Sequence, residues 1–198
     1  FPEFFMSLEE RPGYLRLKGK ESIGSWFEQA LVARRQQAFR YLAETKLEFD
    51  PDNFQQCAGL VSYYNAHKYH YLYVSIDEHG RRFVGIMSCE ADLSMNVTFP
   101  LEEGHTAPGQ IDEKFFLPES GPVWLRAEVD GPALDFSWST DGETWNRMPV
   151  TLNQSLISDE AGKGEGNSFT GAFIGMACQD LSGQDCPADF DYFEYREL

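Results

Sequence analysis

The chain has 198 residues, of which 42% are hydrophobic and 24% are charged, a balance typical of a globular protein rather than a disordered one. This length suits one domain with a large core better than two domains. With 16 Lys and Arg against 32 Asp and Glu, the formal net charge is −16, so phosphate backbones and anionic membrane surfaces repel the chain. We therefore expect no nucleic-acid partner and no membrane partner.

Alternation of apolar and polar residues recurs along the whole chain and predicts β-strands. In residues 43–49, Ala43, Thr45, Leu47 and Phe49 share one face of a half-buried strand. The predicted strands are 14–18, 29–36, 43–49, 57–64, 69–76, 82–88, 95–99, 124–129, 134–138, 170–177 and 188–195. Turn-forming pairs such as Asp-Gly separate them, and this spacing is typical of a two-sheet sandwich or a barrel.

The phase of each predicted strand identifies a core. The side chains expected between the two sheets are those of Leu47, Leu60, Leu72, Val74, Leu125, Val129, Phe136 and Ile174. A shift of one residue in any strand would place its residues on the opposite face.

Three stretches lack strand periodicity and are predicted to be loops: 1–11, 102–121 and 158–168. The third carries Gly162, Gly164 and Gly166, and Phe169 follows it directly. Loops on rigid sandwiches are frequent functional sites. The segment 139–145 resembles the Asp-box of sialidase-like propellers, one residue short, and we interpret it as a two-residue Asp-Gly hairpin turn with a structural role.

No residue pattern typical of autonomous catalysis stands out. The sequence contains no G-x-S-x-G motif, and His67 and His70 lie in a Tyr-rich strand, where packing or a satisfied hydrogen bond is the expected role. Aspartates near the C-terminus could hold a structural Ca²⁺ through oxygen ligands, with Asp189 and Asp191 as the best candidates. A plain acidic surface is the preferred interpretation, and no other cofactor is expected.

Tyr69, Tyr71 and Tyr73 alternate along one predicted strand and form a ladder of rings. Such a ladder could stack on sugars, dock another domain or fill a core, and the sequence leaves these three alternatives open. Four cysteines are present without metal-finger spacing. Reduced thiols are the expected state, which favours a cytoplasmic location with secretion as the alternative, and a bridge between Cys178 and Cys186 is the second interpretation.

Five segments, in the same order, resemble the C-terminal domain of family 43 glycoside hydrolases. They are RPGYLRL (11–17), LVARRQQ (31–37), AETKL (43–47), AGLVSYYN (58–65) and the stretch from FTGAFIGM (169–176) to ADFDYFEY (188–195). The resemblance implies an all-β, antiparallel two-sheet β-sandwich of the concanavalin A-like jelly-roll type, as in a β-xylosidase or an α-arabinofuranosidase. It implies a single domain over residues 13–198, with residues 1–12 as the remnant of an interdomain linker.

In that family the catalytic residues lie on a separate N-terminal five-bladed propeller, so the resemblance assigns no catalytic residue to this chain. It implies that the propeller is the partner and that xylo-oligosaccharide is reached through it. It also implies that Phe169, with Asn167, Ser168 and Thr170, forms an aromatic lid over the substrate pocket. A lid of this kind excludes water and favours short substrates.

Three functions follow from these observations. The leading one is a non-catalytic accessory domain that stabilises a glycoside hydrolase and completes its pocket. The second is a carbohydrate-binding module that recognises xylan or xylo-oligosaccharides on the concave sheet through Tyr71, Tyr73 and Trp124. The third, ranked last, is an autonomous sandwich-fold glycosidase or lyase.

Overall fold

The computed structural model describes residues 2–90, 115–162 and 170–198. These residues form three short 3-10 helices, Pro2–Phe4, Gln154–Leu156 and Glu160–Gly162, and thirteen strands. The strands are β1 (Met6–Ser7), β2 (Leu15–Lys18), β3 (Ala30–Arg35), β4 (Arg40–Glu48), β5 (Gln56–Asn65), β6 (Lys68–Ile76), β7 (Arg82–Glu90), β8 (Phe115–Phe116), β9 (Val123–Asp130), β10 (Ala133–Ser139), β11 (Asn146–Asn153), β12 (Phe173–Asp180) and β13 (Pro187–Glu197). The predicted strand 95–99 lies outside the described residues.

The strands form two antiparallel sheets, which confirms the sandwich and not the barrel. One sheet has seven strands in the order β1-β2-β13-β4-β9-β10-β11, and the other has six in the order β3-β12-β5-β6-β7-β8. Strands that are distant in sequence lie side by side, as β13 does between β2 and β4. The chain passes back and forth between the two sheets, so neither sheet is built from one continuous segment. This arrangement is expected for one cooperative domain.

The main core lies between the two sheets, and the predicted phase of the strands is confirmed. All eight residues expected there are fully buried, and they belong to one hydrophobic cluster: Leu47, Leu60, Leu72, Val74, Leu125, Val129, Phe136 and Ile174. Alternation alone was sufficient for these positions because one face of each strand must avoid water.

The tyrosine ladder of β6 lies in a second hydrophobic cluster, separate from the main core. Tyr69 and Tyr71 are fully buried there, and Ile23 from the segment before β3 belongs to the same cluster. The Tyr71 hydroxyl donates to the carbonyl of Ala177 at 2.9 Å. For these two rings the core alternative is therefore correct, because the second face of the sheet is covered rather than solvated.

The Asp-box segment forms a braced turn between β10 and β11. Asp141 Oδ1 accepts hydrogen bonds from the backbone N–H of Glu143 at 2.8 Å and of Thr144 at 2.7 Å, and from Ser139 Oγ at 2.8 Å. The structural interpretation agrees with this geometry. The predicted two-residue turn is wrong, since the strands end at Ser139 and resume at Asn146, and the side chain of Asp141 replaces strand pairing in between.

The N-terminal segment packs on the sandwich. Met6 and Ser7 pair with Leu17 and Arg16, which makes β1 the edge strand of the seven-stranded sheet. The division into a linker over 1–12 and a domain over 13–198 stays a prediction. Among the described residues, no helix has the length and apolar character that crossing a membrane requires.

Candidate functional site

One end of the sandwich carries a bracket that holds both ends of the segment before β12. Asp159 Oδ1 accepts a hydrogen bond from the Tyr64 hydroxyl at 2.6 Å and another from the backbone N–H of Gly171 at 3.1 Å. Residues on either side of 163–169 are thereby tied to one carboxylate and to the end of β5. We call Asp159, Tyr64 and Gly171 the Asp159 bracket.

Further hydrogen bonds support the same region. Lys68 Nζ donates to the carbonyl of Ala161 at 2.9 Å, and Thr170 Oγ1 donates to the carbonyl of Tyr64 at 3.4 Å. Arg35 donates to the carbonyl of Thr170. Of the four residues predicted to form the lid, Thr170 is described and is exposed, while Asn167, Ser168 and Phe169 lie outside the described residues.

A cleft of about 600 Å³ opens beside the Asp159 bracket. It is lined by Gln36, Phe39, Gly131, Pro132, Gln154, Ser155, Leu156, Ile157, Ser158, Glu160 and Ala161. Phe39 is 83% exposed although its ring is fully apolar. The exposed Phe39 ring forms part of the cleft wall at this end of the sandwich.

The base of the cleft is polar and ordered. Gln154 Nε2 donates to Gln36 Oε1 and to Ser62 Oγ, both at 3.0 Å. Because Gln154 and Ser62 are buried, these bonds compensate the loss of water and hold the cleft in one shape.

The structure does not bring the proposed sugar platform together. Tyr71 is fully buried, and Tyr73 is half-buried and packs edge-on against Phe83 with the ring centroids 5.9 Å apart. Trp124 lies on β9 of the other sheet, where its neighbour Leu125 faces the main core. Trp124 therefore faces outward from the opposite sheet, and the three rings cannot contact one ligand.

The two calcium candidates are held by cationic side chains. Asp189 Oδ1 accepts from Arg16 Nε at 2.7 Å and Asp189 Oδ2 from Arg11 Nη1 at 2.7 Å, while Asp191 pairs with Lys46 Nζ at 2.7 Å. Burial raises the pKa of Asp189, but the hydrogen bonds from Arg16 and Arg11 outweigh it and hold that pKa below its ordinary value. A Ca²⁺ ion would have to displace these cations, and within the described ranges no group of three or more His, Cys, Asp or Glu could hold a metal ion.

All four cysteines are buried and free. Cys178 Sγ lies 3.5 Å from the carbonyl oxygen of Cys186 and bonds to it rather than to the Cys186 sulfur. Burial raises the pKa of Cys186 to about 12, so this thiol is a poor nucleophile in the folded state.

Sequence reasoning missed three features of this end of the molecule. Asp159 was visible only as one acid in an acidic loop, Tyr64 only as a strand residue, and Phe39 lay between two predicted strands. Polar residues near strand ends are only weak evidence for such a contact. Which of them meet depends on the order of the strands in the sheet, and the sequence does not give that order.

The two antiparallel sheets, packed face to face, define the class as an all-β sandwich of the jelly-roll type. Residues 1–196 match the family model described as the β-xylosidase C-terminal concanavalin A-like domain. The chain belongs to this family.

The relatives are longer proteins. A putative β-xylosidase of Escherichia coli K12 is 42% identical over 198 residues, covering 100% of this chain and 35% of that protein. The β-xylosidase of Bacillus subtilis 168 is 40% identical over 191 residues, covering 96% and 33%. The crystal structure of xylan β-1,4-xylosidase from Bacillus halodurans C-125 superposes with a TM-score of 0.84 at 38% identity, covering 98% of this chain and 34% of that one. The chain thus spans about a third of these relatives.

Proposed function

We propose that this chain is a non-catalytic accessory domain of a xylan-degrading glycoside hydrolase and that it packs on a separate catalytic propeller domain. The observation that carries the proposal is the coverage: a family described as a C-terminal domain matches nearly the whole chain, which spans about a third of the β-xylosidases it resembles. The remaining length of those proteins is sufficient for a catalytic domain.

The docking surface in this proposal is the end of the sandwich with the cleft and Phe39. Phe39 offers an apolar contact there, and the cleft beside it is held in shape by the Gln36–Gln154–Ser62 hydrogen bonds. A catalytic domain seated here would cover Phe39 and lie next to the Asp159 bracket.

In the same proposal, the side chain of Phe169 forms one wall of the substrate pocket. The family resemblance supports this role, and so do the described residues on either side, which the Asp159 bracket ties to the ends of β5 and β12. A ring presented from a fixed base would narrow the pocket and exclude water, which favours short substrates.

The test uses a chimera in which this chain replaces the corresponding third of the Bacillus subtilis β-xylosidase. We expect Phe169→Ala in the chimera to lower kcat/KM on xylobiose by about ten-fold or more, because a missing pocket wall loosens substrate positioning. The melting temperature should change little. Wild-type kinetics combined with a large loss of stability would identify Phe169 as a core residue and overturn the pocket role.

A separate measurement tests the accessory role. The 198-residue chain alone should not hydrolyse an aryl β-xyloside, and turnover by it would favour the autonomous glycosidase. Sugar binding by the sheet through Tyr71, Tyr73 and Trp124 is not favoured, because these rings are buried or lie on different sheets.

A further inference from the structure

A second, smaller pocket lies beside the β5–β6 hairpin. Its volume is about 230 Å³, and its lining includes Trp26, Gln29, Tyr63, Asn65 and His67. Tyr63 packs against the cluster that contains Tyr69 and Tyr71. The pocket shares no lining residue with the cleft beside Phe39.

Trp26 forms an exposed wall of this pocket. Its side chain is 63% exposed, and its ring is inclined by 59° to the ring of His67 with the centroids 5.3 Å apart. An indole face that is open to solvent buries apolar area only when something stacks on it. The C–H face of a sugar ring is flat and apolar enough to do so.

Polar groups surround that ring at positions suited to hydroxyl ligands. Tyr63 donates its hydroxyl hydrogen to Gln29 Oε1 at 3.2 Å, which leaves the oxygen lone pairs as acceptors. Asn65 uses Oδ1 to accept from the backbone N–H of His67 at 2.9 Å, and its Nδ2 group supplies two donors. An aromatic wall with a few fixed donors and acceptors is typical of small-ligand pockets.

The loop that carries Trp26 is braced before any ligand arrives. Gln29 Nε2 donates to the carbonyl of Ser25 at 2.6 Å and also to the carbonyl of Ile23. Glu21 accepts from the backbone N–H of Glu28 at 3.2 Å. A loop that is already ordered loses little conformational entropy on binding. A ligand with a small contact area can therefore still bind.

The charge near the pocket selects against anions. Glu21 and Glu28 lie on the Trp26 loop, and the chain as a whole carries −16. A uronic acid or a sugar phosphate would be repelled, whereas a neutral ring with hydroxyl groups would not.

We propose that this pocket binds one neutral sugar residue, with the ring stacked on Trp26 and its hydroxyls bonded to Tyr63 and Asn65. The site gives the domain a sugar-binding function of its own. It does not depend on the proposed docking or on Phe169.

The experiment is a titration of the 198-residue chain with xylose and xylobiose, followed by ¹H–¹⁵N NMR of the Trp indole N–H signals and the backbone amides. We expect saturable shifts of the Trp26 indole and of Asn65, with dissociation constants in the millimolar range. Glucuronate should bind more weakly than xylose. The absence of saturable shifts would overturn the proposal. Binding of glucuronate as tight as that of xylose would also overturn it.

Matched variants tie the binding to the site. Trp26→Ala should weaken xylobiose binding by about ten-fold, which corresponds to about 1.4 kcal/mol. Phe27→Ala should leave binding unchanged, because Phe27 is 85% exposed and adjacent but does not line the pocket. Trp26→Tyr should retain binding, and Trp26→Leu should lose it.

Two outcomes separate this site from a docking residue. If Trp26→Ala leaves sugar binding intact, the inference is wrong. If neither the unsubstituted chain nor Trp26→Ala binds sugar, but Trp26→Ala lowers the melting temperature of the chimera, Trp26 contacts the catalytic domain instead. The inference is then also wrong. Neither result affects the Phe169 test.

Discussion

Individual buried polar residues hold definite protonation states in this fold. His70 is fully buried, with Nδ1 2.8 Å from Ser88 Oγ and Nε2 3.2 Å from the carbonyl of Asn153. Burial lowers the pKa of His70 from 6.5 to about 4, although the bond to the Asn153 carbonyl opposes the change. The imidazole is therefore neutral in the folded protein at pH 7.

This histidine predicts a pH dependence of stability. The unfolded state takes up the proton first, since its histidine titrates near 6.5. The stabilisation is complete above about pH 6.5 and is lost as the pH falls towards 4, for a total of about 3 kcal/mol. Urea unfolding at several pH values measures it. His70→Asn should flatten the slope in this window, and an unchanged slope would contradict the assignment.

Asp189 predicts a second effect at the residue scale. Its carboxylate accepts hydrogen bonds from Arg11 and Arg16, so Asp189→Asn should cost about 1.5–3 kcal/mol, the range for hydrogen bonds to charged groups. Asp130→Asn is the control, since both side chains of the Arg40–Asp130 pair are exposed and such a pair is worth about 0–1 kcal/mol. Chemical denaturation at pH 7 compares them. Equal losses would show that the Asp189 pairs contribute no more than a surface pair.

Acid should act on Asp189 in the same sense as its mutation to Asn, because both remove the negative charge that Arg11 and Arg16 contact. Because its folded-state pKa is depressed, its contribution is full above the ordinary pKa near 3.9 and is lost as the pH falls below it. The difference in stability between the native protein and Asp189→Asn should therefore shrink below about pH 4, which the same denaturation series measures.

At the scale of elements, close approach between β5 and β6 requires glycine at one position. A Cβ on Gly59 would lie 2.0 Å from the carbonyl oxygen of Leu72 and 2.8 Å from Tyr73 Cα. Both are backbone atoms of the neighbouring strand, which cannot move without disturbing the ladder. Gly85 differs, because a Cβ there would meet the end of the Tyr73 side chain at 3.1 Å.

These contacts rank two substitutions. Gly59→Ala should destabilise the protein by about 1–3 kcal/mol or prevent folding, as expected for overpacking. Gly85→Ala should cost less, since the Tyr73 ring can rotate away. Thermal unfolding of the two variants checks the order, and a greater loss in Gly85→Ala would contradict the strand contact.

The Asp159 bracket makes a prediction that rests on the proposed pocket role of Phe169. In the chimera, Asp159→Ala should lower kcat/KM on xylobiose by about ten-fold, because it removes the hydrogen bonds from Tyr64 and Gly171 that hold the residues on either side of 163–169. Glu143→Ala is the control, since Glu143 is exposed on the turn between β10 and β11 and belongs neither to the cleft lining nor to the bracket. Steady-state kinetics of each variant measure the effect.

A double substitution separates a positioning role from general damage. If Asp159 acts through Phe169, adding Asp159→Ala to Phe169→Ala should cause little further loss. Fully additive losses would show that the bracket affects activity by another route. A lower melting temperature without a kinetic change would leave Asp159 a purely structural residue.

At the scale of the whole molecule, the two ends of the sandwich differ in what they expose. Phe39 is 83% exposed beside the cleft, whereas Phe54 is 71% exposed before the start of β5. The Asp159 bracket holds Tyr64 near the other end of β5. Two similar phenylalanines therefore lie at opposite ends of one domain.

This asymmetry tests the docking surface. Phe39→Ser should destabilise the chimera by about 2 kcal/mol, the value of burying one large apolar side chain, and leave the 198-residue chain nearly unchanged. Phe54→Ser should affect neither protein. Calorimetry of both forms measures this, and equal effects of the two substitutions would place the interface elsewhere.

The sequence alone was sufficient for ten of the eleven predicted strands, for the phase of the core residues and for the family. The strand 95–99 lies outside the described residues, and the sequence analysis did not predict β1, β8 and β11. The eight predicted core residues are buried because alternation is a local property: each strand must turn one face from water regardless of its neighbours. The family motifs are likewise read along the chain, as the match over residues 1–196 confirms.

Only the tertiary structure decided which residues meet. It buried Tyr71 under a second cluster, placed Trp124 on the other sheet, and joined Asp159 to Tyr64 and Gly171. Alternation of residues along a strand predicts which face of the sheet a side chain lies on. It does not predict whether other residues cover that face. Strand order and the packing of loops on the sheets supply that information, because they depend on contacts between segments far apart in sequence.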